Sequence, residues 1–166
     1  MVVFEIIKGG GASAVYHAIN SDDVDLIMRH PMTSIASDGP LTVFGVGSPH
    51  PRTYGTFARV LGSYVRERNI LSLEEAIRKM TSLPARILSL NKRGLIKEGY
   101  YADITVFDSR AIIDKATFED PHQYAEGIHS VMVNGVIVVE LGAHNGNKPG
   151  KVLRGPGYIG DCLLYT

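Results

Sequence analysis

Between Phe57 and Val65 the apolar residues Phe57, Val60, Leu61, Tyr64 and Val65 recur at i, i+3, i+4, i+7 and i+8, with Arg59, Ser63, Arg66 and Arg68 on the other side. That spacing predicts an amphipathic helix whose first turn begins near Gly55 or Thr56. A second helix is predicted from Ser72, where Ser72 and Glu75 have capping-box spacing ahead of Ala76, Ile77 and Met80. Leu83-Pro84 breaks or restarts it, a short helix carries Ala85, Ile87 and Leu88, and Gly94 ends the section. Upstream, Ala12 to Ile19 reads as a strand. Asn20, Ser21 and Asp22 then offer helix caps before Val24, Leu26, Ile27 and Met28, and Pro31 closes that helix. Thr33 to Ala36 reads as the next strand, so strand, helix and strand follow in the order of a parallel βαβ unit. Downstream the period changes to two: Ala102 to Phe107 alternates, and Ser130 to Val133 and Val136 to Leu141 flank Asn134-Gly135, the pair that suits a type I′ hairpin turn. Ala143 to Gly160, with many Gly, Pro, Asn and Lys residues, reads as irregular and solvated.

This organisation is unusual. The α/β pattern starts in mid-course, and a parallel pair of strands cannot bury both faces or close a sheet alone. The expectation is that the sequence forms the end of something larger. Asp38 then sits at the C-terminal end of a parallel strand, followed directly by Gly39 and Pro40.

Composition changes this picture little. In 166 residues, 45% hydrophobic and 20% charged, there is material for one ordinary core. Seventeen basic residues balance seventeen acidic ones, which leaves no bulk field for nucleic acid or an anionic membrane. A single cysteine, Cys162, excludes an intrachain disulfide framework and a cysteine-rich zinc site, and a reducing, cytoplasmic compartment is expected. The apolar N-terminus carries Glu5 and Lys8 and runs into Gly9-Gly10-Gly11, unlike a secretory signal.

Five stretches carry a resemblance. "GGGASAVYHAINSDDVDLIMRHPMTSIASDGP", "HPRTYGTFARVLGSYVRE", "EEAIRKMTSLPARILSL", "GLIKEGYYADITVFD" and "GIHSVMVNGVIVVELG" resemble, in that order, the C-terminal third of the N-acyl-D-amino-acid deacylases (D-aminoacylases) of the amidohydrolase superfamily. "YADITVFD" with "VNGVIV" would mark the superfamily alone; "HPRTYGTFARVLG" after "SDG" points to the deacylase branch. The resemblance implies an α/β fold: the C-terminal fragment of a metal-dependent (β/α)8 barrel, with its last strands and helices, plus part of a small β-sandwich. It divides the chain into 1–93, the barrel end with strands seven (Ala12–Ile19) and eight (Thr33–Ala36); 94–142, a β-sandwich segment; and 143–166, an irregular tail.

In such barrels the strand C-termini build the catalytic face. The resemblance therefore makes Asp38 the general base and acid of amide hydrolysis, on or near a catalytic zinc, with Gly39 allowing a sharp turn beside it. The alternative is that Asp38 only makes a strand-to-loop turn, where Asp-Gly is common. Arg52 suits the free carboxylate of an N-acyl amino acid, because its guanidinium fork matches a carboxylate in two places. His50 orients the same loop or touches substrate; for both residues a local structural role is the alternative. His17 reads as a core or pocket-lining residue, His30 as complementing a helix dipole, and His122, His129 and His144 as surface groups. The family's other metal ligands, histidines and a bridging cysteine on earlier barrel strands, have no counterpart here, and Cys162 lies at the wrong end to replace the cysteine. The expectation is a chain that is inactive alone, with a small-molecule N-acyl amino acid as substrate and a missing N-terminal barrel portion or a second copy as partner. A non-catalytic assembly module, or one subunit of a split amidohydrolase, is the other reading.

Overall fold

A computed structural model describes residues 2–11 and 18–158. Helices α1 (Val2–Lys8), α2 (Ser21–Arg29), α3 (Arg52–Arg59), a π-helical stretch over Val60–Glu67, α4 (Leu73–Met80) and α5 (Ser82–Ile87) precede strands β1 (Ile104–Phe107), β2 (Ile128–Val133), β3 (Val136–Glu140) and β4 (Ala143–His144). The strands form one antiparallel sheet in the order β1-β2-β3-β4. Among the described residues no helix is long and apolar enough to cross a membrane.

The local signals act as their chemistry requires. The Asn20 side chain caps α2 by accepting the Asp22 N–H, and Ser72 Oγ accepts the Glu75 N–H at 3.2 Å. Glu75 does not close the capping box reciprocally; its carboxylate turns to Arg78 at 2.7 Å and Lys79 at 3.5 Å. The hydrogen bond from Arg78, with the charges of Arg78 and Lys79, holds the Glu75 carboxyl down at about 2 despite partial burial. Asn134 and Gly135 both have positive φ, +48° and +83°, so the β2–β3 hairpin closes through the primed turn that the dipeptide favours.

The core lies where α3, the π-helical stretch and α4 meet Ile112: Ala58, Val60, Leu61, Leu71, Ala76 and Ile112 are buried together, with Phe107 of β1 and Ile128 of β2 packed on them. The sheet meets this core through Phe107 and Ile128. The strand expected over Ala12–Ile19 lies largely outside the described residues, and Ala18 and Ile19 are irregular. Thr33–Ala36 corrects its expectation: it joins no ladder. Thr33, Ile35, Ser37 and Gly39 are half-buried while Ser34, Ala36 and Asp38 are exposed, the two-residue alternation of a strand. A ladder needs a neighbour, and what Ile35 finds is α4, donating its N–H to the Lys79 carbonyl at 3.1 Å.

Candidate functional site

The extended segment 33–37 ends at Asp38, whose φ of +47° places it in the left-handed region that aspartate tolerates better than most residues. The chain turns there, and not at Gly39. Glycine is needed at 39 for a different reason: a Cβ would lie 2.9 Å from Thr53 Cα and 3.2 Å from the Arg52 carbonyl oxygen. The backbone after Asp38 therefore lies against the start of α3. This contact brings together two residues separated by the loop 39–51, and Arg52 Nη2 stands 3.1 Å from Asp38 Oδ2.

Helix α3 begins at Arg52, one turn earlier than the periodicity placed it. The physical reason is His50. Its Nδ1 accepts the Arg52 N–H at 3.1 Å, and its carbonyl accepts the Thr53 N–H at 2.9 Å, so the imidazole satisfies a helix-start donor that the N-cap residue, Pro51, cannot. Burial, and then the Arg52 charge, lower the His50 pKa below its ordinary value. The ring packs edge-on to Phe118, with centroids 4.9 Å apart. His50, Arg52, Ile35, Tyr64, Asp114 and Phe118 line one cleft of about 590 Å³, within the usual range for small-molecule sites. Arg59 crosses to Asp114 at 2.8 Å on its wall.

The Asp38 side chain is 86% exposed and that of Arg52 43% exposed. An ion pair this open is worth at most about 1 kcal/mol, so a ligand carboxylate can take Arg52 from Asp38 at little cost. The structure thus brings Asp38, His50 and Arg52 into one neighbourhood. It does not assemble a metal centre. Among the described residues no three His, Cys, Asp or Glu side chains converge on a point, and Asp38 is a lone carboxylate partnered by a cation. These residues alone do not fit a zinc ion.

Two supports were not anticipated. Lys79 is fully buried; its Nζ donates to the carbonyls of His30 and Thr33, the second at 3.1 Å, and its own carbonyl holds Ile35. Arg78 donates to the Pro31 carbonyl. The end of α4 thereby fixes the segment that delivers Asp38. The only signal in the sequence is that Lys79 falls three residues after Ala76, on the apolar side of the helix. His122, read as a surface group, instead contacts the loop between Asp38 and Arg52. His30 Nδ1 accepts the Met32 N–H at 3.3 Å, so the ring acts as a turn acceptor just beyond the α2 terminus. His144 likewise accepts the Gly146 N–H, while His17 and Cys162 lie outside the described residues.

Comparison with known proteins identifies the family. Residues 11–139 match the amidohydrolase family. The chain is 45% identical to an N-acyl-D-aspartate deacylase of Alcaligenes xylosoxydans xylosoxydans over 93% of its own length and 30% of that protein's. A crystal structure of D-aminoacylase superposes with a TM-score of 0.80 at 42% identity, covering 87% of this chain and 30% of the other. The N-acyl-D-glutamate deacylase from Bordetella bronchiseptica, solved with zinc and a phosphonate mimic of the tetrahedral intermediate, superposes with a TM-score of 0.76 at 41% identity, covering 84% of this chain and 29% of that one. The chain spans about 30% of the length of the relatives it matches.

Proposed function

The chain belongs to the amidohydrolase family, and from that premise we propose that it supplies the last part of the catalytic face of a zinc-dependent deacylase acting on N-acyl-D-amino acids. The observation that carries this reading is the contact between Asp38 and Arg52 at the end of an extended segment. In an N-acyl amino acid the carboxylate and the scissile amide nitrogen share one α-carbon. A base that serves the amide and a fork that holds the carboxylate must therefore be neighbours. In this reading Arg52 leaves Asp38 to grip the substrate carboxylate in two places. Asp38, freed, accepts the proton of the attacking water and returns it to the departing amine as the C–N bond breaks. His50 holds the start of α3 and with it the Arg52 backbone.

Zinc enters as a property of the assembled enzyme, where it would activate water and polarise the carbonyl; its ligands come from outside the described residues. Thr33–Ala36 is then the last barrel strand, whose ladder partner the rest of the barrel provides, and residues 94–142 contribute to the accompanying β-structure. A cytoplasmic location belongs to the same proposal.

The test joins the chain to the N-terminal portion of the Alcaligenes relative, loads zinc and follows hydrolysis of N-acetyl-D-amino acids. Asp38→Asn keeps the size and the turn but removes the base, and kcat should fall by about 10² to 10⁴ with folding intact. Arg52→Lys keeps the charge and loses the fork, so KM should rise more than kcat falls. Near-normal turnover in Asp38→Asn would overturn the mechanism. A zinc-loaded wild type that hydrolyses nothing would favour the non-catalytic assembly module.

A further inference from the structure

His122 lies on the connection between β1 and β2, far in sequence from Asp38 and Arg52, yet every hydrogen bond of its ring among the described residues goes to the segment that joins or follows them. Gly45 N–H donates to Nδ1 at 3.1 Å, Tyr54 Oη lies 2.9 Å from the same nitrogen, and Nε2 lies 3.0 Å from the Gly47 carbonyl oxygen. A backbone N–H can only donate and a backbone carbonyl can only accept. The ring is therefore neutral with its proton on Nε2, and Nδ1 presents its lone pair to Gly45 and Tyr54. Phe44 packs edge-on to the same imidazole at 5.5 Å and stacks on Tyr124 at 4.9 Å. The loop's other contacts also run to Tyr54: Thr42 Oγ1 lies 3.5 Å from its hydroxyl, and Phe44 meets its ring edge-on at 5.9 Å. The loop's internal backbone bond runs from Val46 N–H to the Val43 carbonyl, and Leu41, Val43 and Val46 are exposed. Gly45 and Gly47 have φ of +80° and +72°, conformations that the flanking residues do not impose.

The ring thus fixes the loop at Gly45 and Gly47, and through Tyr54 it fixes the first turn of α3, which begins with Arg52. We propose that His122 is a positioning residue: it sets the separation of Asp38 and Arg52 by clamping the loop between them to the helix start. Its kinetic consequence rests on the deacylase reading above. Its structural consequence does not.

The test uses His122→Phe, which keeps a ring against Phe44 and removes the hydrogen bonds, and His122→Gln, whose amide can accept from Gly45 and donate to Gly47. Nitrogen-15 spectra of the wild-type chain should show the neutral Nε2–H tautomer; the Nδ1–H tautomer would overturn the assignment. In His122→Phe the amide resonances of Asp38 and Arg52 should move together with those of Gly45 and Gly47, and His122→Gln should restore them. In the zinc-loaded joined enzyme, kcat/KM should fall by roughly 10- to 100-fold in His122→Phe, because misplacement by about 1 Å costs that much, and His122→Gln should recover most of it. Should His122→Phe fail to fold, Tyr54→Phe removes one hydroxyl and should shift the Arg52 amide in the same direction. Changes confined to residues 44–47, with Asp38, Arg52 and kcat/KM unmoved, would sink the proposal. If the wild type shows no deacylation, the deacylase reading fails while the amide shifts still decide the positioning role.

Discussion

His50 serves α3 only while its Nδ1 is unprotonated, since that atom accepts the Arg52 N–H. Burial and the Arg52 charge lower its pKa, so the folded chain binds this proton less readily than the unfolded one. The stability it contributes is full above the ordinary histidine value of about 6.5 and is lost as pH falls from there through the lowered folded value. Thermal unfolding measured between about pH 7.5 and 5.5 should therefore show a steeper acid loss in the wild type than in His50→Phe, which has no such proton to bind. Parallel pH profiles would remove the capping role. At this scale the sequence offered Asp38 in "SDG" and Arg52 in "HPR" as candidates through contiguous motifs, and the structure places their side chains 3.1 Å apart. His122 was not offered in this way, because its partners Gly45, Gly47 and Tyr54 lie 77, 75 and 68 positions away. No local pattern reports a contact of that kind.

An element's role follows from which neighbours satisfy its backbone, and the segment Thr33–Asp38 is the clearest case. It keeps the alternating burial of a strand while taking its restraint from α4: Lys79 Nζ to the carbonyls of His30 and Thr33, Arg78 to Pro31, and the Lys79 carbonyl to Ile35. Lys79→Met preserves the apolar stem and deletes the ammonium, leaving two carbonyls without their donor. The expected cost is about 1–3 kcal/mol in denaturant unfolding, the penalty for orphaned buried polar groups. A loss below about 0.5 kcal/mol, the ordinary range for inconsequential surface changes, would show that the clamp contributes little. Periodicity located the helices well and their geometry less well. Phe57 to Val65 reads as one apolar stripe, but beyond Arg59 the helix widens to π geometry, with Arg68 N–H donating to the Ser63 carbonyl, and Phe57 is left 45% exposed. A wider turn rotates the stripe, and apolar spacing alone does not encode it.

Across the whole molecule, the surface is large for the mass. A folded monomer of 18.1 kDa is expected to expose roughly 8,000 Å² by the usual scaling, whereas this chain exposes 12300 Å². The excess is substantially apolar: Val2, Phe4 and Ile7 on α1, Leu26 on α2, and Met32 and Leu41 on either side of Asp38 all stand in the open. The buried set, by contrast, is short and rich in alanine: Ala58, Ala76, Ala85 and Ala116. A chain with this balance lowers its free energy by covering those faces. Alone in solution it can do so with other copies of itself, so static light scattering at high concentration should report oligomers or a domain-swapped dimer. Association should be suppressed when the chain is joined to the N-terminal portion of a relative, because the same apolar faces would then be occupied. A clean, stable 18.1 kDa monomer that binds no hydrophobic dye would show that the faces are already covered and that the exposed surface drives nothing. Self-association that persists undiminished after joining would instead assign the interface to a surface the barrel leaves free, and would separate assembly from completion of the site.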